Sequence, residues 1–123
     1  MPIQHLSAIS VPVSDPQRAK DFYVNTLGFE CRVDDAFAEG LRWIEVAPAG
    51  MQGSLALVNW FPDLPAGSLR GNVFDTDDIE ASYAALEGRG LRFEGPICQG
   101  PGGRFADFRD PDGNAWMLHQ RLV

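Results

Sequence analysis

Cysteine is scarce. Cys31 and Cys98 are the two in the chain, and they form neither a CxxC pair nor a zinc-type spacing. The reading is two free thiols in a reducing, cytoplasmic setting, with a Cys31–Cys98 disulfide as the lesser alternative. Basic charge is also in deficit, with 10 Lys and Arg against 17 Asp and Glu, a net −7. The basic residues are scattered, which argues against nucleic acid or an anionic membrane as partner, since both need clustered cations. No run of eighteen apolar residues occurs, and the opening MPIQHLSAISVPVSD has no basic stretch ahead of its apolar part. A soluble protein with no membrane partner is the expectation. At 45% hydrophobic and 22% charged, the 123 residues have ordinary globular composition. They suffice for one domain, 1–123, burying roughly two-thirds of its unfolded surface.

What the chain does have is a repeat. Arg104–Asn114 reads RFADFRDPDGN, and its first four residues have a near copy in Arg42, Trp43, Ile44 and Glu45, 62 residues earlier. DPDGN is a turn: Pro presets φ, Gly tolerates positive φ, and Asp and Asn bond the local backbone. Around these anchors the same order of elements occurs twice. Residues 6–13 alternate as a strand; Asp15 and Pro16 open a helix with Ala19, Phe22, Tyr23 and Leu27 on one face, and Gly28 closes it. Strands are expected at Phe29–Val33, Leu41–Ala47 and Ser54–Trp60, with a polar loop after the first of them. Phe61–Ser68 has the Pro and Gly of a linker. The second round predicts a strand at Leu69–Thr76, a helix capped by Asp77 or Asp78 and ended by Gly90, and a strand at Leu91–Glu94. A Gly/Pro-rich loop at 95–103 and strands at Arg104–Arg109 and Asn114–Arg121 complete it. The fold class is therefore α+β, two tandem βαβββ modules at 1–60 and 69–123 joined by the linker 61–68.

Three stretches carry a family resemblance: VSDPQRAKDFYVNTLGF (Val13–Phe29), TDDIEASYAALEGRG (Thr76–Gly90) and DPDGN (Asp110–Asn114). In this order and at this length they resemble the vicinal oxygen chelate superfamily, which includes glyoxalase I, bleomycin-resistance-type binding proteins and extradiol dioxygenases. The resemblance implies modules whose sheets curl around a central cleft, usually in a homodimer. It does not imply a reaction. It also implies where a divalent metal would be held, by His and Glu or Gln at four strand positions. Transferred to this chain those positions are Ala8, Leu55, Gly71 and Met117, none a ligand for a hard metal. The expectation is no metal and no cofactor. His5 would reach the site only through a bulge, whereas His119 shares the face of Met117.

Strand alternation then assigns the cleft. If 8, 55, 71 and 117 face it, so do Ser10, Leu57, Asn59, Val73, Asp75, Ala115 and His119, while Ile9, Val11, Ala56, Val58, Phe74, Trp116 and Leu118 pack under the helices. On the third strand of each module Trp43 and Glu45, with Phe105 and Asp107, face the cleft; Arg42 and Arg104 take the other parity as surface charges. Candidate ligand-binding residues are Trp43, Phe105, Asn59, Ser10, Asp75 and Met117, and candidate catalytic residues are Glu45, Asp107 and His119. Apolar walls with a few polar groups suit a small molecule. Three readings stay open: a metal-independent small-molecule-binding protein, a lyase- or dioxygenase-like enzyme using the cleft carboxylates and His119 with or without a rearranged metal, and a structural dimer whose cleft is vestigial.

Overall fold

The computed structural model describes residues 2–122. Its elements are β1 (Ala8–Pro12), α1 (Pro16–Asp21), β2 (Glu30–Ala38), β3 (Leu41–Ala47), β4 (Ser54–Val58), β5 (Asn72–Asp75), α2 (Ile79–Gly88), β6 (Cys98–Gly100), β7 (Gly103–Arg109) and β8 (Ala115–Arg121). They form two four-stranded mixed sheets, ordered β1-β4-β3-β2 and β5-β8-β7-β6. In each, the first strand lies parallel beside the last and the others run antiparallel. This is the α+β, twice-written βαβββ pattern expected from the repeat.

Local chemistry accounts for both helix starts. The Asp15 carboxylate accepts from the backbone N–H groups of Gln17 and Arg18 at 3.1 and 3.2 Å, with Pro16 in the first helical position. Asp78, not Asp77, caps α2, accepting from the Ala81 N–H at 3.1 Å. The first helix departs from the expected single α-helix: after Asp21 it widens into a π-turn over Phe22–Thr26, closed by the Leu27 N–H on the Phe22 carbonyl at 3.1 Å. Tyr23 sits in that turn and is fully buried. Gly28 then takes φ 79°, which a residue with Cβ adopts only at a cost.

Four strands differ from expectation. β2 continues through the supposed polar loop to Ala38, with register shifts between Cys31 and Val33 and between Ala36 and Ala38. It is an edge strand, and an exposed edge carries charge rather than an apolar alternation. β4 stops at Val58, leaving Asn59 exposed beyond it. β5 is confined to Asn72–Asp75, because the preceding Leu69 is tied through its N–H to the Asn114 side-chain carbonyl instead of to a ladder. Leu91–Glu94 forms only a bridge between Phe93 and Phe108, and the strand of that edge lies at Cys98–Gly100, inside the predicted loop.

One core serves both sheets. Val11, Tyr23, Ile44, Val46, Leu55 and Leu57 from the first half join Ile79, Phe108, Trp116 and Leu118 from the second. Each large side chain so buried contributes about 1.5–3 kcal/mol. The helix-covered faces of the two sheets thus meet inside, and their uncovered faces look outward.

The DPDGN turn is bolted into this core. Asp110, 5% exposed, accepts from the Asp112 and Asn114 N–H groups at 3.0 and 2.9 Å, from the Asn114 amide at 2.7 Å and from the Tyr23 hydroxyl at 2.8 Å. Tyr23 in turn accepts from the Trp116 indole at 2.9 Å, and Asn114 donates to the Pro12 carbonyl at 2.8 Å. Burial first, and the adjacent Asp110 carboxylate second, push the Tyr23 phenol far above its ordinary pKa, so it acts as a permanent donor.

Candidate functional site

Strand register decides which side chains share a face. In the second sheet Asp75 lies beside His119, which lies beside Phe105, which lies beside Cys98; one rung along, Val73 lies beside Met117 and Met117 beside Asp107. All of these take the uncovered face, as alternation predicts. Phe74, Trp116 and Leu118 take the opposite, core-facing side.

The first sheet requires a correction. Ser10 pairs with Ala56 and Glu45 pairs with Ala56, so Ala56 shares their outward face. Leu55 lies beside Ile9 and Val46, and Leu55 and Leu57 are core residues, 3% and 0% exposed. The expected facing of Leu55, Leu57, Ala56 and Val58 is therefore reversed. Six residues, 48–53, join β3 to β4, whereas five, 110–114, join β7 to β8. The counterpart of Met117 is thus Ala56, 61 residues earlier and not 62.

This correction bears on the metal. The four transferred positions become Ala8, Ala56, Gly71 and Met117: two methyl groups, a hydrogen and a thioether. They offer no hard donor, so the residues present do not fit a divalent ion of the family's kind. Among the described residues no three His, Cys, Asp or Glu side chains gather as a cation would need. His5 lies on the exposed segment ahead of β1.

The outward face of the first sheet is aromatic. Trp43 stands 5.9 Å, centroid to centroid, from Trp60 and 6.4 Å from Phe37; Phe37 is 5.3 Å from Trp60, and Trp60 is 5.8 Å from Phe61. Phe37 and Phe61 are 53% and 47% exposed, an unusual state for such large apolar groups. The Trp43 indole N–H donates to Glu45 Oε2 at 2.6 Å, which pins both side chains. Sequence reasoning found Trp43 and Glu45 and missed Phe37, Trp60 and Phe61. Phe37 was hidden in a segment read as loop, and the Trp60-Phe61 pair fell across a strand end and a linker; aromatics in a polar loop were the available signal.

The outward face of the second sheet is charged. Asp75 Oδ1 lies 3.1 Å from His119 Nδ1, and Asp75 Oδ2 accepts from Arg121 Nε at 3.2 Å. The His119 contact, and after it the Arg121 contact, hold the Asp75 carboxyl below its usual range. Arg42 and Arg104 pair with Asp34 and Glu80, at 2.8 and 2.6 Å, in the surface role expected of them. Glu45 lies on one sheet and Asp107 and His119 on the other, so a single chain does not assemble the three as a catalytic trio.

Between the halves, on the inner side, is a cavity of about 600 Å³. Ile9 and Leu55 wall it from the first sheet, Phe74 and Trp116 from the second, and Leu86 and Arg89 from α2. Of the predicted site residues only Asp75 borders it.

Comparison with known proteins agrees with this fold. The chain belongs to the Glyoxalase/Bleomycin resistance protein/Dioxygenase superfamily, whose profile matches residues 3–118. It is similar to TnmS3, described as an antibiotic binding protein from Streptomyces sp. CB03234, with 49% identity over 99% of both chains and a TM-score of 0.91. A member of the same superfamily from Sphaerobacter thermophilus DSM 20745 is 37% identical, covers 98% of this chain and 100% of its own, and superposes at 0.89. The YetH protein of Bacillus subtilis (strain 168) is 30% identical over 96% of this chain and 99% of its own.

Proposed function

We propose that the protein binds a small, planar aromatic molecule and sequesters it without a divalent metal. The observation that carries this is the contiguous, half-exposed aromatic surface of Phe37, Trp43, Trp60 and Phe61 with the Glu45 carboxylate fixed beside it. Flat rings stack on such a surface, and Glu45 Oε1, which the indole leaves free, accepts from a cationic or hydroxyl group of the ligand. The similarity to an antibiotic-binding protein supports a ligand of drug size. Ser10 on the same face, and Phe105 and Met117 on the outward face of the second sheet, are assigned to ligand contact under this reading. Asn59, exposed past the end of β4, marks the rim.

The working unit in this proposal is a homodimer. Within one chain the two outward faces diverge, so a cleft walled by both needs a second copy. β1 and β5 each end a sheet with one side unpaired, and the apolar side chains Ile9, Met51 and Val73 stand exposed beside them around the inner cavity. Pairing these edges with a second chain covers the apolar rim and sets Trp43 and Glu45 opposite the partner's second sheet. Among the described residues no helix is long and apolar enough to cross a membrane. The exposed free thiols of Cys31 and Cys98 support a reducing, cytoplasmic location.

Thermal unfolding against a panel of polycyclic aromatics, with and without hydroxyl or amine substituents, tests the function. The expected result is a concentration-dependent rise in Tm that Trp43→Ala shifts to much higher ligand concentration. No rise with any member of the panel overturns it. Sedimentation at micromolar concentration tests the dimer, and a monomer there overturns that part.

A further inference from the structure

On the outward face of the second sheet one rung runs Asp75, His119, Phe105. It combines three features. The Asp75 carboxylate is anchored on its far side by Arg121 and meets His119 at Nδ1. A carboxylate only accepts, so a neutral imidazole there carries its proton on Nδ1 and leaves the Nε2 lone pair unused. That nitrogen has no partner within the described residues; it looks out past the β6–β7 turn, where a Cβ added to Gly102 would stand 4.0 Å from it. Phe105, the cross-strand neighbour on the same face, offers a ring beside it. An oriented acceptor next to an aromatic ring is built to take a hydroxyl carried on a flat ring.

We propose that His119, with its tautomer set by Asp75, is the subsite that accepts the acidic hydroxyl of a phenol or enol whose ring lies on Phe105. This rests on the small-molecule reading above and deepens it by naming the ligand's polar handle. Asp75 is a positioning residue: it touches His119 and not the ligand. Arg121 keeps Asp75 in place, and Gly102 leaves room for the incoming group.

The test compares 1-hydroxypyrene with 1-methoxypyrene on the full-length protein by fluorescence titration at one pH. The two share a ring system and differ in the ability to donate. The wild type is expected to bind the hydroxy compound about tenfold more tightly, the size of one well-aligned neutral hydrogen bond. His119→Leu removes that preference. Asp75→Asn, whose amide donates to Nδ1 and so moves the imidazole proton to Nε2, also removes it, and serves if the first variant unfolds. Preference retained in both variants overturns the subsite, as does equal wild-type binding of the two compounds. Failure of both to bind the wild type overturns the aromatic-ligand reading and this inference with it, so the two failures are distinct.

Discussion

The two halves share a backbone and divide the chemistry. β3 and β7 correspond residue for residue at a spacing of 62, and each half parks a helix on the inner face of its sheet. Their outward faces share an aromatic ring and a carboxylate at matched positions, Trp43 with Phe105 and Glu45 with Asp107, and differ in the rest: four packed aromatic rings on one, an Asp–His–Arg row on the other. Their last connections differ as well. The six residues at 48–53 are surface turn, while the five at 110–114 carry a buried network that ties both halves together. The frame is thus the same in both halves: the added residue of the first is absorbed in its turn, and Ala56 pairs with Glu45 as Met117 pairs with Asp107. Stacking and hydrogen bonding could then be specialised to separate sheets.

The sharpest way to break this comparison is at the connections. Asp110→Ala removes the acceptor of the Tyr23 hydroxyl, of one Asn114 amide hydrogen and of two backbone N–H groups. It is expected to cost about 4 kcal/mol, a large part of a domain's usual stability. Ala49→Ser in the opposite connection, where the residue is exposed, should fall within about 0.5 kcal/mol. Urea unfolding measures both, and similar costs would show the connections to be equivalent after all. Next comes the division between faces: Trp43→Ala should weaken 1-hydroxypyrene binding about thirtyfold and Phe105→Ala less than tenfold, by fluorescence titration. Equal losses would mean that the sheets share the stacking. Tyr23→Phe, which removes one donor from Asp110 and the acceptor of Trp116, is expected to cost about 1–2 kcal/mol by the same urea assay.

The smallest effect is electrostatic and common to both halves. Asp34 is held below its ordinary pKa by hydrogen bonds from Arg42 and then Lys20, and Asp75 by His119 and then Arg121. A depressed folded-state value means that the unfolded chain binds protons first. The stabilisation is therefore complete above the ordinary carboxylate range, near pH 4, and is lost as pH falls through that range toward the folded values. Both pairs face solvent, so each contributes at most about 1 kcal/mol. Thermal unfolding of Asp34→Asn and Asp75→Asn between pH 6 and 3 should show a shallower loss on acidification than the wild type; an unchanged slope would remove the assignment.

Much of this frame is legible in the chain because it is written in local chemistry. Asp15-Pro16, Asp78, Gly28 and Gly90 mark helix ends wherever they occur, and β7 and β8 alternate cleanly. What is not legible is set by neighbours. The later part of β2, 34–38, looks like loop because its residues are exposed, and the π-turn at Phe22–Thr26 carries Tyr23, whose hydroxyl reaches Asp110. The reversal of Leu55 and Ala56 came from carrying a spacing of 62 across a connection that is one residue longer in the first half. Composition gave no clue there, since Ser54–Val58 is buried at every position and shows no alternation. On the site, Trp43 and Glu45 could be placed from the repeat, while Phe37 and Phe61 join them only through tertiary approach.

The bolt between Tyr23 and Asp110 spans 87 residues of chain. Such a contact repays its loop closure only late, since ordering the intervening chain must come first. It also means that each half relies on the other for a partner: the Tyr23 hydroxyl of the first finds its acceptor in the second, and Asp110 of the second takes one of its four donors from the first. A repeat that looks in sequence like two small folding units is then kinetically one, and an excised module of either kind is expected to stay open until the other is supplied.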